Sequence, residues 1–368
     1  MPPIELPAGL STRPMRPEDM PAVAALLGTA ERVDDTGEHE SAEDLAEWWG
    51  NDLVDLPRDT RLVFAGDRLV GYADVMVPST FRGAVDVYLG GRVHPEWRGQ
   101  GIGRALLGWQ TQRAVEVHAE RHPEVPARVS ASIPTSMPTA EALVRRAGLT
   151  AQRWFFGMRR PLTGLPAPRT VAGVELVPFT WERDDEVRRA HNAAFTEHYG
   201  SSERDPRTWS TWFTGQSSFR PDLSVLAVQD GAVTGYALAY VHEANTQATG
   251  EREVYYGQIG VLPAHRGRGL SKAVIGAALS AAAAADCSVA ALTVDSENGS
   301  GALGLYESLG FTVRRTTVSW VRELPPVAPR FRPASAADLP LVYRAELAYI
   351  RAVEPAAEPG WTLSLIHI

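Results

Sequence analysis

The stretch VHPEWRGQGIG at residues 93–103 returns as VLPAHRGRGLS at residues 261–271. Each copy lies between a strand-like run and a long helical pattern. The spacing further along also repeats, because AEALVRRAGL at 140–149 matches ALGLYESLGF at 302–311. These matches predict two tandem units with the same order of elements.

Clustered prolines mark the ends of the two units. After the second cluster, the pattern found at the start of unit one occurs again. The segment RPMRPEDMP at 13–21, near the start of unit one, has the counterpart RPASAADLP at 332–340. The last six residues, LSLIHI, equal the translation of a tag used in DNA library preparation. The expected divisions are a first domain at 11–162, a second domain at 170–325, a truncated start of a third unit at 330–362, and a sequencing-adapter artefact at 363–368.

Each unit also carries the signals of a β-meander. The turn AGDR at 65–68 separates two apolar runs in unit one, and the turn QDG at 229–231 does the same in unit two. A helix, a strand, a second helix and a final strand follow. The expected fold class is therefore α/β, with a mixed sheet of the α+β kind, in two tandem domains.

Composition and charge argue against several classes of protein. The formal net charge of -8 is unfavourable for non-specific nucleic-acid binding, which needs a basic surface. Cys287 is the only cysteine, so no intramolecular disulfide can form and a cytoplasmic location is expected. The alanine-rich stretch 273–292 contains Asp286 and is too weakly apolar to cross a membrane. No spacing of histidine, cysteine and carboxylate residues suggests a metal site.

Both copies of the glycine-rich stretch lie where a strand ends and a helix begins. The first helical turn leaves backbone N–H groups unpaired at the positive end of the helix dipole, and a pyrophosphate can bind them. Glycines let the backbone approach the phosphate, and Arg266 and Arg268 can add charge-assisted hydrogen bonds. A plain glycine-rich turn with solvated arginines is the alternative. The double occurrence in one context favours an anion-binding turn, called the cradle below.

The cradle resembles the cofactor motif of the GNAT superfamily of acetyltransferases, Arg/Gln-x-x-Gly-x-Gly/Ala. Arg98-x-x-Gly101-x-Gly103 matches it fully, and the copy in unit two departs only at Ser271, which keeps its backbone N–H. The resemblance covers nearly the whole chain and implies tandem acyl-CoA N-acyltransferase domains with acetyl-CoA as co-substrate and no metal. The cofactor-binding residues expected from it are Val93, Arg98, Gly99, Gly101 and Gly103 in unit one, and Val261, Leu262, Arg266, Gly267, Arg268, Gly269, Leu270, Ser271 and Asn298 in unit two.

The resemblance also implies a mechanism for unit two. The strand ending at Val261 splays from its neighbour and leaves room for the pantetheine arm, which Asn298 hydrogen-bonds. The backbone N–H of Val261 or Leu262 polarises the thioester carbonyl. Tyr306 stands near the sulfur as general acid for the leaving thiolate. Its position on the apolar face of a helix leaves a core tyrosine as the alternative.

Other candidate residues are weaker. With regular alternation, Glu253, Tyr255 and Val261 share one strand face, and Glu253 or Tyr255 could relay a proton from the amine. Cross-strand packing is the alternative for both. Cys287 lies in an apolar stretch, which favours burial over nucleophilic catalysis. A further cluster near the end of the first helix of unit two is either substrate-binding or structural: His191, Asn192, His198 and Tyr199.

The two units are expected to differ in function. Alignment places valine in unit one wherever unit two has a candidate acid or base. Unit one therefore keeps the cradle without the catalytic tyrosine, and we expect it to bind acetyl-CoA without catalysing transfer. An empty scaffold that shapes the acceptor pocket of unit two is the alternative. The aligned pairs are Val144 for Tyr306, Val87 for Tyr255, Val85 for Glu253 and Ser136 for Asn298.

The expected function is an N-acetyltransferase that transfers acetyl from acetyl-CoA to the primary amine of a small molecule by direct attack in domain 2. The expected partners are acetyl-CoA and a small amine, with no nucleic acid and no membrane. A non-catalytic acyl-CoA-binding sensor and a peptide or protein N-acetyltransferase are the alternatives. Tyr306 and Asn298 favour the enzyme.

Overall fold

The computed structural model describes residues 4–50, 54–196, 202–297 and 301–327. Unit one comprises β1 (Leu10–Arg13), α1 (Met20–Asp34), α2 (Ala42–Trp49), α3 (Leu56–Asp59), β2 (Thr60–Ala65), β3 (Arg68–Met76), β4 (Val85–Val93), α4 (Ile102–Arg121), β5 (Ala127–Pro134), α5 (Pro138–Arg146) and β6 (Thr150–Pro161). Unit two comprises β7 (Glu175–Pro178), α6 (Asp184–Ala194), α7 (Pro206–Trp209), β8 (Val225–Gln229), β9 (Ala232–Tyr240), α8 (Glu243–Thr249), β10 (Glu253–Val261), α9 (Leu270–Ala284), β11 (Val289–Asp295), α10 (Ala302–Ser308) and β12 (Thr312–Leu324).

The twelve strands form one mixed sheet in the order β1-β2-β3-β4-β5-β12-β6-β11-β10-β9-β8-β7. This order reads the same from either end when each strand of unit one is exchanged for its counterpart in unit two. The two units are therefore the halves of a pseudosymmetric sheet. The expected α/β class with a mixed sheet is confirmed.

The two halves are interleaved where they meet. β12 of unit two lies between β5 and β6 of unit one, and β6 lies between β12 and β11 of unit two. Trp320 of β12 is opposite Ala131 of β5, and Gly157 of β6 is opposite Thr293 of β11. Each unit thus uses the last strand of the other to complete its half of the sheet.

Two pairs of parallel strands separate part-way along their length. Pairing of β4 with β5 ends at Tyr88, although β4 continues to Val93. Pairing of β10 with β11 ends at Tyr255, although β10 continues to Val261. Each pair therefore opens into a gap on the way to the cradle, and the expected splay of the strand ending at Val261 is confirmed.

A β-bulge on β10 changes which of its side chains share a face. The pairing with β9 shifts by one residue between Tyr256 and Gln258, whereas β4 pairs with β3 without a shift. Tyr255 consequently packs with the α6 cluster and Val261 with the α9 cluster. The expectation that Glu253, Tyr255 and Val261 share one face is wrong, because it assumed an unbroken alternation.

The bulge also corrects the alignment of the two units. Tyr255 lies opposite Tyr240 of β9, and Tyr88 lies opposite the equivalent Met76 of β3. Unit one therefore carries a tyrosine and a carboxylate on this face of its fourth strand. The structural counterparts are Tyr88 for Tyr255 and Asp86 for Glu253, in place of Val87 and Val85.

Helices cover both faces of the sheet. α4 and α9 cover one face through apolar side chains such as Leu106 and Val274, and α1, α2 and α6 cover the other. Cys287 lies buried in the α9 cluster, as expected. Across the described ranges, no helix has both the length and the apolar character needed to cross a membrane.

The domain boundaries remain a prediction. β6 ends at Pro161 and β7 begins at Glu175, on either side of the expected linker. The expected third unit at 330–362 and the expected artefact at 363–368 lie outside the described residues.

Candidate active site

Two glycines shape the turn before each long helix. In unit one φ is +78° at Gly99 and +93° at Gly101, and in unit two it is +78° at Gly267 and +81° at Gly269. These left-handed values favour glycine. Neither helix has a side-chain cap, so the amides of its first turn remain available to an anion. The other cradle residues in those first turns are Gly103, Leu270 and Ser271.

The first arginine of each motif hydrogen-bonds protein groups around the turn. Arg98 donates to both carboxylate oxygens of Asp34 at 2.6 and 2.7 Å, and its Nε donates to the carbonyl of Val93 at 3.1 Å. Arg266 donates to the carbonyls of Val261 at 3.3 Å and Ala194 at 2.9 Å. The expectation that Arg266 offers its charge to a phosphate is therefore not supported by this geometry.

A cation outside the motif lies closer to the cradle of unit two. The guanidinium of Arg169 is 3.6 Å from the position that a Cβ would take on Gly269. It forms no ion pair or hydrogen bond with any other residue in the described part of the chain. Arg268 is exposed and donates to Gln229 at 3.1 Å. In unit one Pro7 occupies the place of Arg169, 3.7 Å from the Cβ position of Gly101.

The backbone of β10 presents one N–H group to the gap. Leu262 donates its N–H to the carbonyl of Thr234 at 2.9 Å. Because hydrogen-bonded and non-bonded pairs alternate in an antiparallel ladder, the preceding pair, Val261 and Gly235, points its N–H groups away from each other. The N–H of Val261 therefore faces the gap. Of the two expected oxyanion donors, Val261 fits and Leu262 does not.

Tyr306 lies on α10 within the same apolar cluster as Val261 and is 9% exposed. Its ring meets Phe311 edge-on, with the centroids 6.1 Å apart. Burial, assisted by the neighbouring phenol of Tyr255, raises the pKa of Tyr306 to about 12. A purely structural buried tyrosine usually hydrogen-bonds its hydroxyl to a backbone group. Among the described residues, none forms such a hydrogen bond with Tyr306.

Three tyrosines lie on the α6 side of the sheet beside the gap. The hydroxyl of Tyr236 is 2.9 Å from Nδ1 of His191, which is itself buried. Tyr255 lies close to the side chain of Thr293, and burial raises the pKa of Tyr255. The hydroxyl of Tyr240 is buried without a partner among the described residues. His191 is thus a hydrogen-bonded core histidine, which agrees with the structural alternative.

Glu253 is held in an ion pair that crosses between the units. Its Oε2 lies 2.5 Å from Nε of Arg159 on β6, and Glu251 lies 2.9 Å from the same guanidinium. The pair sits at the start of β10, where this strand is still paired with β11. The carboxylate is thus engaged by an arginine of the other unit, which favours the packing alternative for Glu253.

Some expected residues contribute structure or cannot be placed. Asn192 hydrogen-bonds the backbone N–H and C=O of Arg204 at 2.9 and 3.1 Å. Val144 is buried in an apolar cluster, so α5 carries no acid at the position where α10 carries Tyr306. Asn298, His198 and Tyr199 lie outside the described residues. Within the described ranges, no group of three histidine, cysteine or carboxylate side chains could hold a metal.

This geometry agrees with the match of the chain to known proteins. A model of the acetyltransferase (GNAT) family matches residues 24–130 and 185–311. The chain therefore belongs to this family, whose co-substrate is acetyl-CoA, and it is an acyltransferase.

Curated relatives match the chain over most of its length. It is 31% identical over 336 residues to the mycothiol acetyltransferase of Frankia alni, covering 82% of this chain and 91% of that protein. It is 33% identical over 307 residues to the mycothiol acetyltransferase of Thermobispora bispora, covering 80% and 93%.

Solved structures extend the likeness to the fold. A GCN5-related N-acetyltransferase from Sphaerobacter thermophilus superposes with a TM-score of 0.71 at 26% identity, covering 88% of this chain and 98% of that chain. A tandem GNAT protein from the clavulanic acid biosynthesis pathway superposes with a TM-score of 0.64 at 21% identity, covering 88% and 100%. The tandem fold is therefore shared with solved proteins.

Proposed function

We propose that unit two transfers acetyl from acetyl-CoA to the primary amine of a small molecule by direct attack. The observation that carries this proposal is the position of Val261. Its N–H faces the gap between β10 and β11, in the unit whose cradle stands at the end of the same strand. A thioester in that gap would have its carbonyl oxygen polarised by this N–H and its pyrophosphate bound at the start of α9.

Tyr306 supplies the proton that the leaving group needs. Since its pKa is raised to about 12, the hydroxyl is protonated at neutral pH. The amine nitrogen forms a bond to the acetyl carbon, the carbon–sulfur bond breaks, and Tyr306 donates its proton to the sulfur. The proton released by the amine returns the phenolate to its starting state through solvent, so the enzyme ends unchanged.

The acceptor enters from the face covered by α6. Tyr255 is on this face at the point where strand pairing ends, next to the place where the two reactants would meet. Because its pKa is raised, Tyr255 acts in this scheme only by passing a proton on as it receives another. Glu253 takes no part, because Arg159 holds it away from the gap.

Unit one binds acetyl-CoA without transferring its acetyl group in this scheme. Its cradle has the same two left-handed glycines, and its gap opens after Tyr88. Val144 stands where unit two has Tyr306, so no proton donor faces a leaving thiolate from this helix. The single cysteine of the chain is consistent with work in a reducing cytoplasm.

The test is release of free thiol from acetyl-CoA across a panel of amines, with mass spectrometry of the product. The names of the relatives justify including amino-sugars and their cysteinyl derivatives beside polyamines and peptides. Amine-dependent thiol release with an acetylated small amine supports the proposal. Acetyl-CoA binding without turnover on any amine would favour the sensor, and acetylation of peptides alone would favour the peptide enzyme.

A further inference from the structure

Asp74 is a buried carboxylate without a partner. It lies on β3 and is 8% exposed. No other residue in the described part of the chain donates a hydrogen bond or forms an ion pair with its carboxylate. Buried carboxylates are normally paired, because an isolated charge loses its hydration. An unpaired one in a folded protein therefore calls for an explanation.

The carboxylate is directed at the gap of unit one. Asp74 lies opposite Gly90 on β4, two residues beyond the point where β4 parts from β5 at Tyr88. A Cβ on Gly90 would collide with Oδ1 of Asp74 and lie 3.0 Å from its Cγ. The missing side chain of Gly90 is thus what leaves space in front of the carboxylate.

The surroundings of Asp74 carry negative rather than positive charge. On its own strand the neighbours on this face are Tyr72 and Met76, both in the apolar cluster of α1 and α2. Glu40 lies close enough for the two carboxylates to repel each other. Arg92, which lies opposite Tyr72 on β4, forms an ion pair with Glu38 at 2.9 Å. The space before Asp74 therefore favours a cation.

Unit two has no such group. Leu238 on β9 takes the place of Asp74, and it lies opposite Gln258 of β10. The fold accordingly accepts a buried leucine here, and packing does not require an acid. An unpaired buried acid lowers stability, and proteins commonly accept such a loss where a residue has a function. Burial and the charge of Asp59 raise the pKa of Asp74 to about 7, which agrees with the lack of a partner.

We propose that Asp74 anchors a second binding site, in the gap of unit one, for the primary ammonium group of an organic amine. An unpaired carboxylate beside an aromatic ring and a strand backbone suits an ammonium group, which brings three N–H donors. A divalent metal prefers several oxygen ligands, and the described residues offer no group of three at this place. The site does not depend on catalysis in unit two.

Carbon-13 NMR of the full-length protein, labelled at the aspartate carboxyls, tests this site with n-butylammonium chloride as the probe. The signal of Asp74 is assigned from its loss in Asp74→Asn. At constant ionic strength, n-butylammonium is expected to shift this signal saturably and to lower the pKa of Asp74, because a nearby cation favours the charged form. Tetramethylammonium, which has no N–H donor, is expected to bind at least tenfold more weakly. Equal shifts with both salts, or no saturable shift, would overturn the proposal.

Variants separate binding from folding. Gly90→Ala keeps Asp74 but fills the space before it, so the saturable shift is expected to disappear; Asp67→Asn, in an exposed turn, should leave it unchanged. Tyr306→Phe should also keep the shift, which distinguishes this site from transfer in unit two. Asp74→Asn should raise the melting temperature at pH 8 and have little effect at pH 4. In the wild-type protein, ionisation of Asp74 lowers the free energy of unfolding as the pH rises from the unfolded-state pKa of Asp74 to its folded-state pKa of about 7. A lower melting temperature at pH 8 would show a structural carboxylate and contradict the site.

Discussion

Arg159, on the last strand of unit one, forms an ion pair of 2.5 Å with Glu253, on the fourth strand of unit two. The pair exists because β6 lies beside β11, so a unit-one arginine reaches the strand that borders the gap of unit two. Interleaving therefore does more than join the units. The ion pair also fixes the start of β10, just before the point where its pairing with β11 ends.

Glu253→Gln is expected to change kcat by less than about threefold. The carboxylate is engaged by Arg159, and a neutral amide can still accept one of its hydrogen bonds. Loss of a general base typically costs 10²–10⁴ in rate. The measurement is kcat against pH from 6 to 9, with Arg159→Met as the companion variant. Loss of a hundredfold or more, together with loss of an ionisation from the pH profile, would make Glu253 the base and refute its structural role.

Arg98→Met is expected to lower the free energy of unfolding by about 3–5 kcal/mol, because it leaves the carboxylate of Asp34 unpaired in the protein interior. The side chain of Asp34 is only 4% exposed. Urea denaturation measures the loss, and Arg104→Met, at an exposed position of α4 just after the turn, is the control. The double variant with Asp34→Asn should recover part of the loss. If the Arg98→Met protein were stable but bound the cofactor weakly, Arg98 would be a phosphate-binding residue and not a structural one.

Gly269→Asp is expected to weaken acetyl-CoA binding at unit two by tenfold or more, about 1.4 kcal/mol. It places a negative side chain where the pyrophosphate would approach. Gly250→Asp is the matched control, since Gly250 also has a left-handed φ, +74°, but ends α8 away from the cradle. Gly101→Asp should lose one equivalent of bound cofactor while turnover persists. Calorimetry gives both affinities and stoichiometry; equal losses in Gly269→Asp and Gly250→Asp would show strain rather than a phosphate site.

Arg169→Gln is expected to weaken acetyl-CoA binding about threefold to tenfold and to flatten its dependence on salt. The guanidinium lies beside Gly269 without a carboxylate partner in the described residues, so its charge is available to a phosphate. Arg189→Gln is the control, because Arg189 pairs with Asp185 on its own helix. Calorimetry at two salt concentrations provides the comparison. Identical affinity in both variants would place Arg169 outside the cofactor site.

Local patterns predicted much of the fold and of the cradle. Gly267 and Gly269 stand at a strand-to-helix turn, and this arrangement depends only on neighbours in sequence. The bulge beside Gly257 could not be predicted, because one extra residue in a strand leaves the alternation intact on either side. Its consequence was the wrong counterpart for Tyr255.

Contacts between residues far apart in the sequence could not be predicted from local patterns. Asp34 and Arg98 meet across 64 residues of sequence, and nothing in the motif distinguishes this brace from a phosphate ligand. β6 and β12 are both long final strands, so their exchange of neighbours follows only from assembly of the whole sheet. The carboxylate of Asp74 stands out only after its lack of partners is known.

The central claim is that unit two is the transferase and that Tyr306 protonates its leaving thiolate. The decisive measurement is kcat for amine-dependent thiol release, with the acetyl-CoA dissociation constant measured in parallel, in Tyr306→Phe and in the control Tyr256→Phe. Tyr256 is buried in the same apolar cluster, and its hydroxyl has no partner among the described residues. The account predicts a fall in kcat of about 10² or more for Tyr306→Phe with unchanged acetyl-CoA affinity, and no comparable fall for Tyr256→Phe. An undiminished kcat in Tyr306→Phe would contradict it.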